Sequence, residues 1–345
     1  MTLRSRIETL LQRLWWTQPP ALAARLLAPL SWLAALLAGF ARRRALARCS
    51  RLPVAVVVVG NLVVGGAGKT PAVIAIVEAL AAAGRRPGVI SRGYGRATAG
   101  VLAVEPGSAA AEVGDEPLLL RRRTGAAVWI GRDRVEAARA LLAAHPEVDV
   151  VVADDGLQHH ALARDVEVLV FDERGVGNGL RLPAGPLREP LPAATRPRQL
   201  VLYNAPQPST PLPGELAQPR ADRLRPLADW HVGISSRDEA LAAWRGRAVV
   251  AVAAIAVPAR VFATLERAGL RVARRPLPDH DAFAEMPWTD DVQAVIVTEK
   301  DAVKLDPASP RTRQVWVLRL DLVLPPTFVA ALLARLPRAD RHAAR

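Results

Sequence analysis

The sequence predicts an α/β protein: a mostly parallel sheet with helices on both faces, followed by a smaller C-terminal α/β domain and preceded by an amphipathic helical segment. Three observations predict it. Valine-rich strands alternate with helical patterns from Val54 to about Leu202. The first of those strands empties into a glycine-rich loop, Gly60–Pro71, which leads into a helix. Residues 1–52 stand apart, rich in Leu, Ala and Trp with arginines behind them. At 345 residues and 51% hydrophobic content, the chain is long enough for two domains and too apolar to be disordered.

Within residues 1–52, the stretch Leu10 to Phe40 carries Trp15-Trp16 near its start and is followed by Arg42-Arg43-Arg44. An uncharged run from Leu26 to Phe40 contains Pro29 and falls short of the about 20 residues a bilayer span needs. The segment lacks the small-residue cleavage pattern of a signal peptide. One or two amphipathic helices lying in a membrane interface fit it, with Trp at headgroup depth and Arg facing anionic lipid. A helix packed on the core and a single tilted span are the other readings of the same residues.

Residues 53–203 read as the main domain. Strands are expected at Val54–Val59, Pro87–Ile90, Val101–Val104, Ala127–Ile130, Val148–Ala153 and Val166–Phe171, with helices at Ala72–Ala83, Pro117–Arg123 and Arg134–Ala144. In such sheets ligands gather at the carboxyl ends of the strands, where the polar motifs of this chain fall.

The loop Gly60-Asn61-Leu62-Val63-Val64-Gly65-Gly66-Ala67-Gly68-Lys69-Thr70-Pro71 has the layout of a phosphate-binding loop, and makes the domain P-loop NTPase-like. Backbone N–H groups of Gly60, Asn61, Gly65, Gly66, Ala67 and Gly68 would wrap the phosphates of ATP; Lys69 would reach the β/γ oxygens and the Thr70 hydroxyl would ligate Mg²⁺. Pro71 suits the first helical turn. The strict pattern has Gly where this chain has Val63, and the signature lysine of membrane-associated partitioning ATPases is replaced by Val64. Positive charge is otherwise written almost wholly as Arg; the lysines are Lys69, Lys300 and Lys304. A lysine kept at the loop's end indicates a need for a compact ammonium there.

The strand Val148–Ala153 ends in Asp154-Asp155, the position from which P-loop enzymes supply the acid of the Mg²⁺ shell. Ser91-Arg92-Gly93-Tyr94-Gly95-Arg96 offers close backbone approach and two guanidiniums for phosphate. Gly114-Asp115-Glu116-Pro117 offers a carboxylate pair just before a helix, and residues 178–190 form a stiff, glycine-dotted segment in which Arg188 is a candidate phosphate clamp. Residues 204–232, dotted with prolines, read as a connector. The smaller domain, 233–337, is expected to hold strands at Ala248–Ala253, Arg271–Arg274 and Gln314–Leu318, another ending near Val297, and helices at Ala259–Ala268 and Thr327–Leu336. It carries Asp279-His280-Asp281 and Thr298-Glu299-Lys300-Asp301-Ala302-Val303-Lys304, whose two lysines share a face if helical. The tail, 338–345, is basic and expected to fray.

A net charge of +13 implies an anionic partner. Nucleic acid, an anionic membrane surface with anionic substrates, and plain Arg/Ala bias of a GC-rich genome all answer to it. With aromatics at 4% and no nucleic-acid motif, no nucleic-acid partner is expected, nor an obligate protein partner. One cysteine, Cys49, excludes a disulfide framework, and the histidines lack zinc spacing.

Taken together, the segments GNLVVGGAGKTP, SRGYGR, VGDEP, DDGLQHH, GNGLRLPAGPLREP, PDH and TEKDAVKL resemble the tetraacyldisaccharide 4′-kinase family, the lipid A kinases of Gram-negative bacteria. They span residues 60 to 305, and the valine at position 63 is that family's habit. The resemblance implies transfer of the ATP γ-phosphoryl to the 4′-hydroxyl of an acylated disaccharide 1-phosphate lipid, giving lipid IVA, in a cleft between two domains. It implies Asp115 as general base, oriented and tuned by His280; Lys69 on the phosphates; Thr70, Glu116, Asp154 and Asp155 serving Mg²⁺; and Arg188 on the transferring phosphoryl or the substrate. Two departures stand out. Ala254-Ile255-Ala256-Val257-Pro258 replaces a usual Gly-Ile-Gly-Asn-Pro, so that loop is expected to differ, and Asp281 replaces a frequent second histidine. A four-chain lipid substrate stays in the bilayer, so peripheral or monotopic attachment to the cytoplasmic face of the bacterial inner membrane, an anionic surface, is expected. A membrane-associated P-loop ATPase, or a kinase of another small acceptor, is the alternative.

Overall fold

A computed structural model describes residues 10–337; the basic tail lies outside the described residues. In chain order, helices α1 (Leu22–Leu26) and α2 (Ala28–Leu46) precede β1 (Ala55–Gly60), α3 (Lys69–Ala82), β2 (Pro87–Ser91), β3 (Leu102–Val104), α4 (Ala110–Val113), α5 (Asp115–Thr124) and β4 (Val128–Ile130). Next come α6 (Arg134–Ala144), β5 (Val150–Asp154), β6 (Val166–Asp172), β7 (Gln199–Asn204), β8 (Glu215–Leu216), β9 (Gln218–Arg220), β10 (Arg223–Pro226), α7 (Leu227–His231) and β11 (Glu239–Ala240). The chain closes with β12 (Ala248–Ala253), α8 (Pro258–Arg267), β13 (Arg271–Pro276), β14 (Val295–Thr298), α9 (Glu299–Ala302), β15 (Val315–Leu318), β16 (Asp321–Val323) and α10 (Pro326–Arg335).

These elements form two compact units. The first comprises Met1–Ile90, Arg134–Gln218 and Leu324–Arg345; the second comprises Ser91–Asp133 and Pro219–Val323. In the first unit the strand order β2-β5-β1-β6-β7-β8 is parallel throughout. Strands β1, β5 and β6 are buried along their whole length, which is why β1 and β5 read as near-continuous valine runs rather than alternating ones. The register Val59↔Asp154 sets the end of β5 beside the end of β1, so the acidic pair and the glycine loop emerge at the same carboxyl edge.

In the second unit the sheet runs β11-β10-β15-β14-β12-β13, parallel from β15 to β13 and antiparallel at β10 and β11. Its core gathers Trp244, Phe262, Leu265 and Ile296, and Trp244 meets the Trp316 ring edge-on at 4.8 Å. β3 and β4 pair antiparallel beside α5.

This division does not follow the linear boundaries 53–203, 204–232 and 233–337. Residues 91–133 belong with the C-terminal half, and α10, expected to close the smaller domain, belongs to the first unit, where Arg335 Nε donates to the Pro197 carbonyl at 2.9 Å. Local periodicity reports strand or helix and not which sheet an element joins. The proline-rich connector is structured too: β10 pairs with β15 from Leu224↔Leu318 to Pro226↔Trp316, with proline at the strand's last position.

The N-terminal helices form as expected. Ser31 is buried in α2, whereas Leu30, Trp32, Leu33, Leu36, Leu37 and Phe40 are exposed. Among the described residues no helix is long and apolar enough to cross a membrane, so the tilted-span reading finds no support.

Candidate active site

In the first unit, the loop after β1 is held open by its own polar groups. Asn61 is fully buried; its Nδ2 donates to the Gly65 carbonyl at 3.2 Å while its Oδ1 accepts from Lys69 Nζ at 3.0 Å. Gly68 caps α3 at φ 78°, where a side chain would be strained and its Cβ would meet the Asn204 amide. Gly65, at φ 95°, has open space where a Cβ would stand. Val63 forms an antiparallel bridge with Leu187; Val64 N–H donates to the Pro186 carbonyl at 2.9 Å, and Arg188 N–H to the Leu62 carbonyl at 2.7 Å. The segment 178–188 therefore props the loop, and Val63 serves as a β-bridge residue where the strict motif has glycine.

Lys69 Nζ lies 3.5 Å from Asp155 Oδ1, and Arg188 Nη1 donates to both Asp155 oxygens at 3.3 Å and to Gln158 Oε1 at 3.2 Å. Asp155 sits just past β5 at φ 46°, a left-handed conformation Asp tolerates better than most residues. Burial opposes its ionisation, but Lys69 and then Arg188 outweigh it and hold the carboxyl below the usual carboxylate range. Asp154, the last residue of β5, is buried.

A nucleotide and its metal fit this set. Gly65 leaves a vacant cradle, Lys69 stands at the positive end of a 14-residue helix, and Thr70, Asp154 and Asp155 offer oxygen donors of the kind Mg²⁺ takes. Among the described residues no cluster of three or more His, Cys, Asp or Glu is placed to hold a metal ion.

In the second unit, Asp115 opens α5 behind Gly114, whose φ of 94° and close approach to the Tyr94 carbonyl favour glycine. Asp115 is 7% exposed, and its Oδ2 and Oδ1 lie 3.0 and 3.2 Å from His280 Nδ1. His280 itself is held at φ 63°, and its N–H donates to the Ala254 carbonyl at 3.4 Å. The Tyr94 ring lies 5.4 Å from the imidazole. Burial opposes ionisation of Asp115, but the His280 hydrogen bond and the charges of Lys300, His280 and Lys304 keep it below its ordinary range. Conversely, the Asp115 hydrogen bond lifts the His280 pKa against burial and Lys300. Glu116, expected to serve Mg²⁺, accepts Lys300 Nζ at 3.1 Å.

Of the expected residues, the structure groups Asn61, Lys69, Asp155 and Arg188 in one unit and Asp115, Glu116 and His280 in the other. Among the described residues the non-glycine positions with positive φ are Asp155, His280 and Phe283, so neither Ala254 nor Ala256 stands where glycine is required. Ala254 N–H donates to Asp301 Oδ2 at 3.2 Å, which fixes the loop without it. Sequence reading missed Arg174, which donates to the Gly66 carbonyl and to Asp172 at 2.9 Å and lies over the Trp16 ring at 4.3 Å. Its position just past β6, at the ligand-bearing edge, was the available signal. Gln158 and the contacts of Lys300 were missed as well.

A family model described as LpxK, tetraacyldisaccharide-1-P 4′-kinase, matches residues 23–337. A tetraacyldisaccharide 4′-kinase of Leptothrix cholodnii is 54% identical over 304 residues, covering 86% of this chain and 87% of the relative. One from Methylibium petroleiphilum is 51% identical over 336 residues, covering 95% and 94%. Among solved structures, LpxK from Aquifex aeolicus, an "apo" form in complex with ATP, matches with a TM-score of 0.72 at 25% identity, covering 92% of this chain and 100% of that one. Matches of this extent leave one family for the loop and the Asp–His pair to serve: the chain belongs to the tetraacyldisaccharide 4′-kinase family.

Proposed function

We propose that this chain is an ATP-dependent kinase that phosphorylates the 4′-hydroxyl of a tetraacyldisaccharide 1-phosphate, forming lipid IVA in lipid A biosynthesis. It would act at the cytoplasmic face of the bacterial inner membrane, as a peripheral or monotopic protein. The carrying observation is the pairing of buried Asp115 with half-buried His280 at 3.0 Å: a carboxylate kept ionised and oriented is placed to act as a base on an acceptor hydroxyl.

The two units divide the work. In the first, the loop N–H groups and the Lys69 ammonium hold the nucleotide's phosphates, and Lys69 offsets negative charge on the transferring phosphoryl. Arg188, now paired with Asp155, is free to exchange that partner for a phosphoryl oxygen, to which its planar fork is well matched. In the same unit Thr70, Asp154 and Asp155 would hold Mg²⁺, which would supply positive charge against the phosphates. In the second unit, Asp115 accepts the 4′-hydroxyl proton as the oxygen attacks, and His280 fixes the carboxylate and shares the charge. Positioning and neutralisation supply most of the acceleration in such transfers. The exposed apolar residues of α1 and α2, with Arg42, Arg43 and Arg44 beside them, support contact with an anionic bilayer, where a four-chain lipid resides.

The test is direct. Purified protein with γ-labelled ATP, Mg²⁺ and tetraacyldisaccharide 1-phosphate in detergent should place label in the lipid. ATP hydrolysis with no label in the lipid would sink the proposal.

A further inference from the structure

Lys300 is one of only three lysines in the chain, and the proposed transfer assigns it nothing. Its neighbours Glu299 and Asp301 are buried and fully engaged. Glu299 accepts from Arg123 at 2.6 Å, from the Trp230 indole at 3.1 Å and from Leu320 N–H at 3.2 Å. Asp301 accepts from Thr298 Oγ1 at 2.7 Å, Ala254 N–H at 3.2 Å and Lys304 Nζ at 3.1 Å. With both flanks pinned, the short helix α9 fixes where the Lys300 stem leaves the backbone. Its Nζ, with the side chain 15% exposed, lies 3.1 Å from Glu116 Oε1, 3.2 Å from Asp279 Oδ1 and 3.4 Å from His280 Nε2.

The last contact is the informative one. An ammonium carries donors and no acceptor, so toward Lys300 the Nε2 atom must accept. Nε2 then bears the lone pair, and the imidazole proton resides on Nδ1, from which it is donated to Asp115. The ammonium on the far nitrogen and the ionised carboxylate on the near one thus select the same tautomer, in which Nδ1–H serves the proposed base. Glu116 and Asp279 hold the ammonium in place, and Lys304, which donates to the Asp281 carbonyl and pairs with the Asp301 carboxylate, is the further cation near the pair.

We propose that Lys300 is a positioning residue of the phosphoryl transfer: by donating to His280 Nε2 it fixes the Nδ1–H tautomer that orients the Asp115 carboxylate. This rests on the reading of Asp115 and His280 as the acceptor-side pair. Lys300 also disfavours imidazolium at His280, so losing it moves the His280 titration upward.

The experiment compares wild-type protein with Lys300→Met and Lys300→Arg, using a His280→Gln sample to assign the imidazole resonances. ¹⁵N-histidine spectra read the tautomer and titration of His280 directly, without turnover. In Lys300→Met, the His280 Nε2 signal should leave the lone-pair range and its titration midpoint should rise. kcat should fall about 10²-fold with the acid limb of kcat/KM moving to higher pH. Lys300→Arg, which restores a donor, should recover the tautomer and part of the rate. An unchanged His280 tautomer and titration in Lys300→Met overturns the proposal, whatever the rate does. A shifted tautomer with an unaltered pH–rate profile would spare the geometry but overturn the positioning role, and would count against the Asp115–His280 reading itself.

Discussion

Lys69 joins three parts of the first unit at one ammonium: the buried Asn61 amide, the Asp155 carboxylate and the start of α3. Lys69→Ala should lower kcat by about 10³-fold or more in a labelled-ATP assay and, by leaving the buried Asn61 Oδ1 unmet, cost about 1–3 kcal/mol in a urea titration. Asp115→Ala and His280→Ala should each cost about 10³-fold, and the double variant no more than the worse single one, because the two act as a unit. Multiplicative losses in that cycle would separate them. The same pair gives stability a pH dependence. The folded pKa of His280 is raised, so its contribution is complete below the unfolded value near 6.5 and is lost as pH rises through the folded value. Urea stability measured from pH 5.5 to 9 should therefore fall above about 6.5 in the wild type, with a shallower slope in His280→Gln. Sequence motifs pointed to most of these residues because their residue types are chemically costly to keep unless used. Arg174 and the contacts of Lys300 escaped because their meaning lies in partners far away in the chain, Gly66 for the one and Glu116 for the other.

At the scale of elements, α2 and the segment 178–188 form one assembly. Ser31 Oγ donates to the Arg181 carbonyl at 2.8 Å and accepts from Ala184 N–H at 3.1 Å; the Trp15 indole donates to the Pro183 carbonyl at 2.8 Å, and the Trp15 carbonyl accepts from Asn178 N–H at 2.8 Å. The far side of that segment bonds to the phosphate loop through Pro186 and Arg188. Ser31→Ala leaves the buried Ala184 N–H unmet and should destabilise the fold by about 1–2 kcal/mol in a denaturant titration, where an ordinary surface serine would cost nothing measurable. Strands and helices were largely legible, since buried valine runs and 3.6-residue periodicity are local properties; α6 and β12 fall on the residues expected. What the segment 178–188 does was not legible, because its bonds are mostly backbone ones and leave no side-chain signature.

For the whole molecule, the exposed apolar surface of α1 and α2 is the feature that departs from an ordinary soluble protein. Leu33→Asp with Leu37→Asp should abolish sedimentation with anionic vesicles while the detergent assay keeps most of its rate. Unchanged sedimentation would place the attachment elsewhere. The two-unit architecture was legible in number and not in membership. Residues 91–133 pass to the second unit because Asp115 and the SRGYGR loop must meet His280, a long-range requirement that alternation cannot encode.

The shared bonds between the N-terminal helices and the segment under the phosphate loop bear on how such a protein can be engineered. An anchor joined by a flexible tether could be cut away or exchanged for any other of equal hydrophobicity. Here the inner side of α2 is part of the foundation of the nucleotide loop, so a truncated or transplanted N-terminus would leave Pro183 and Ala184 without their partners. A water-soluble version should instead be sought by repainting the outward residues Leu30, Leu33, Leu37 and Phe40 while keeping Trp15 and Ser31 in place.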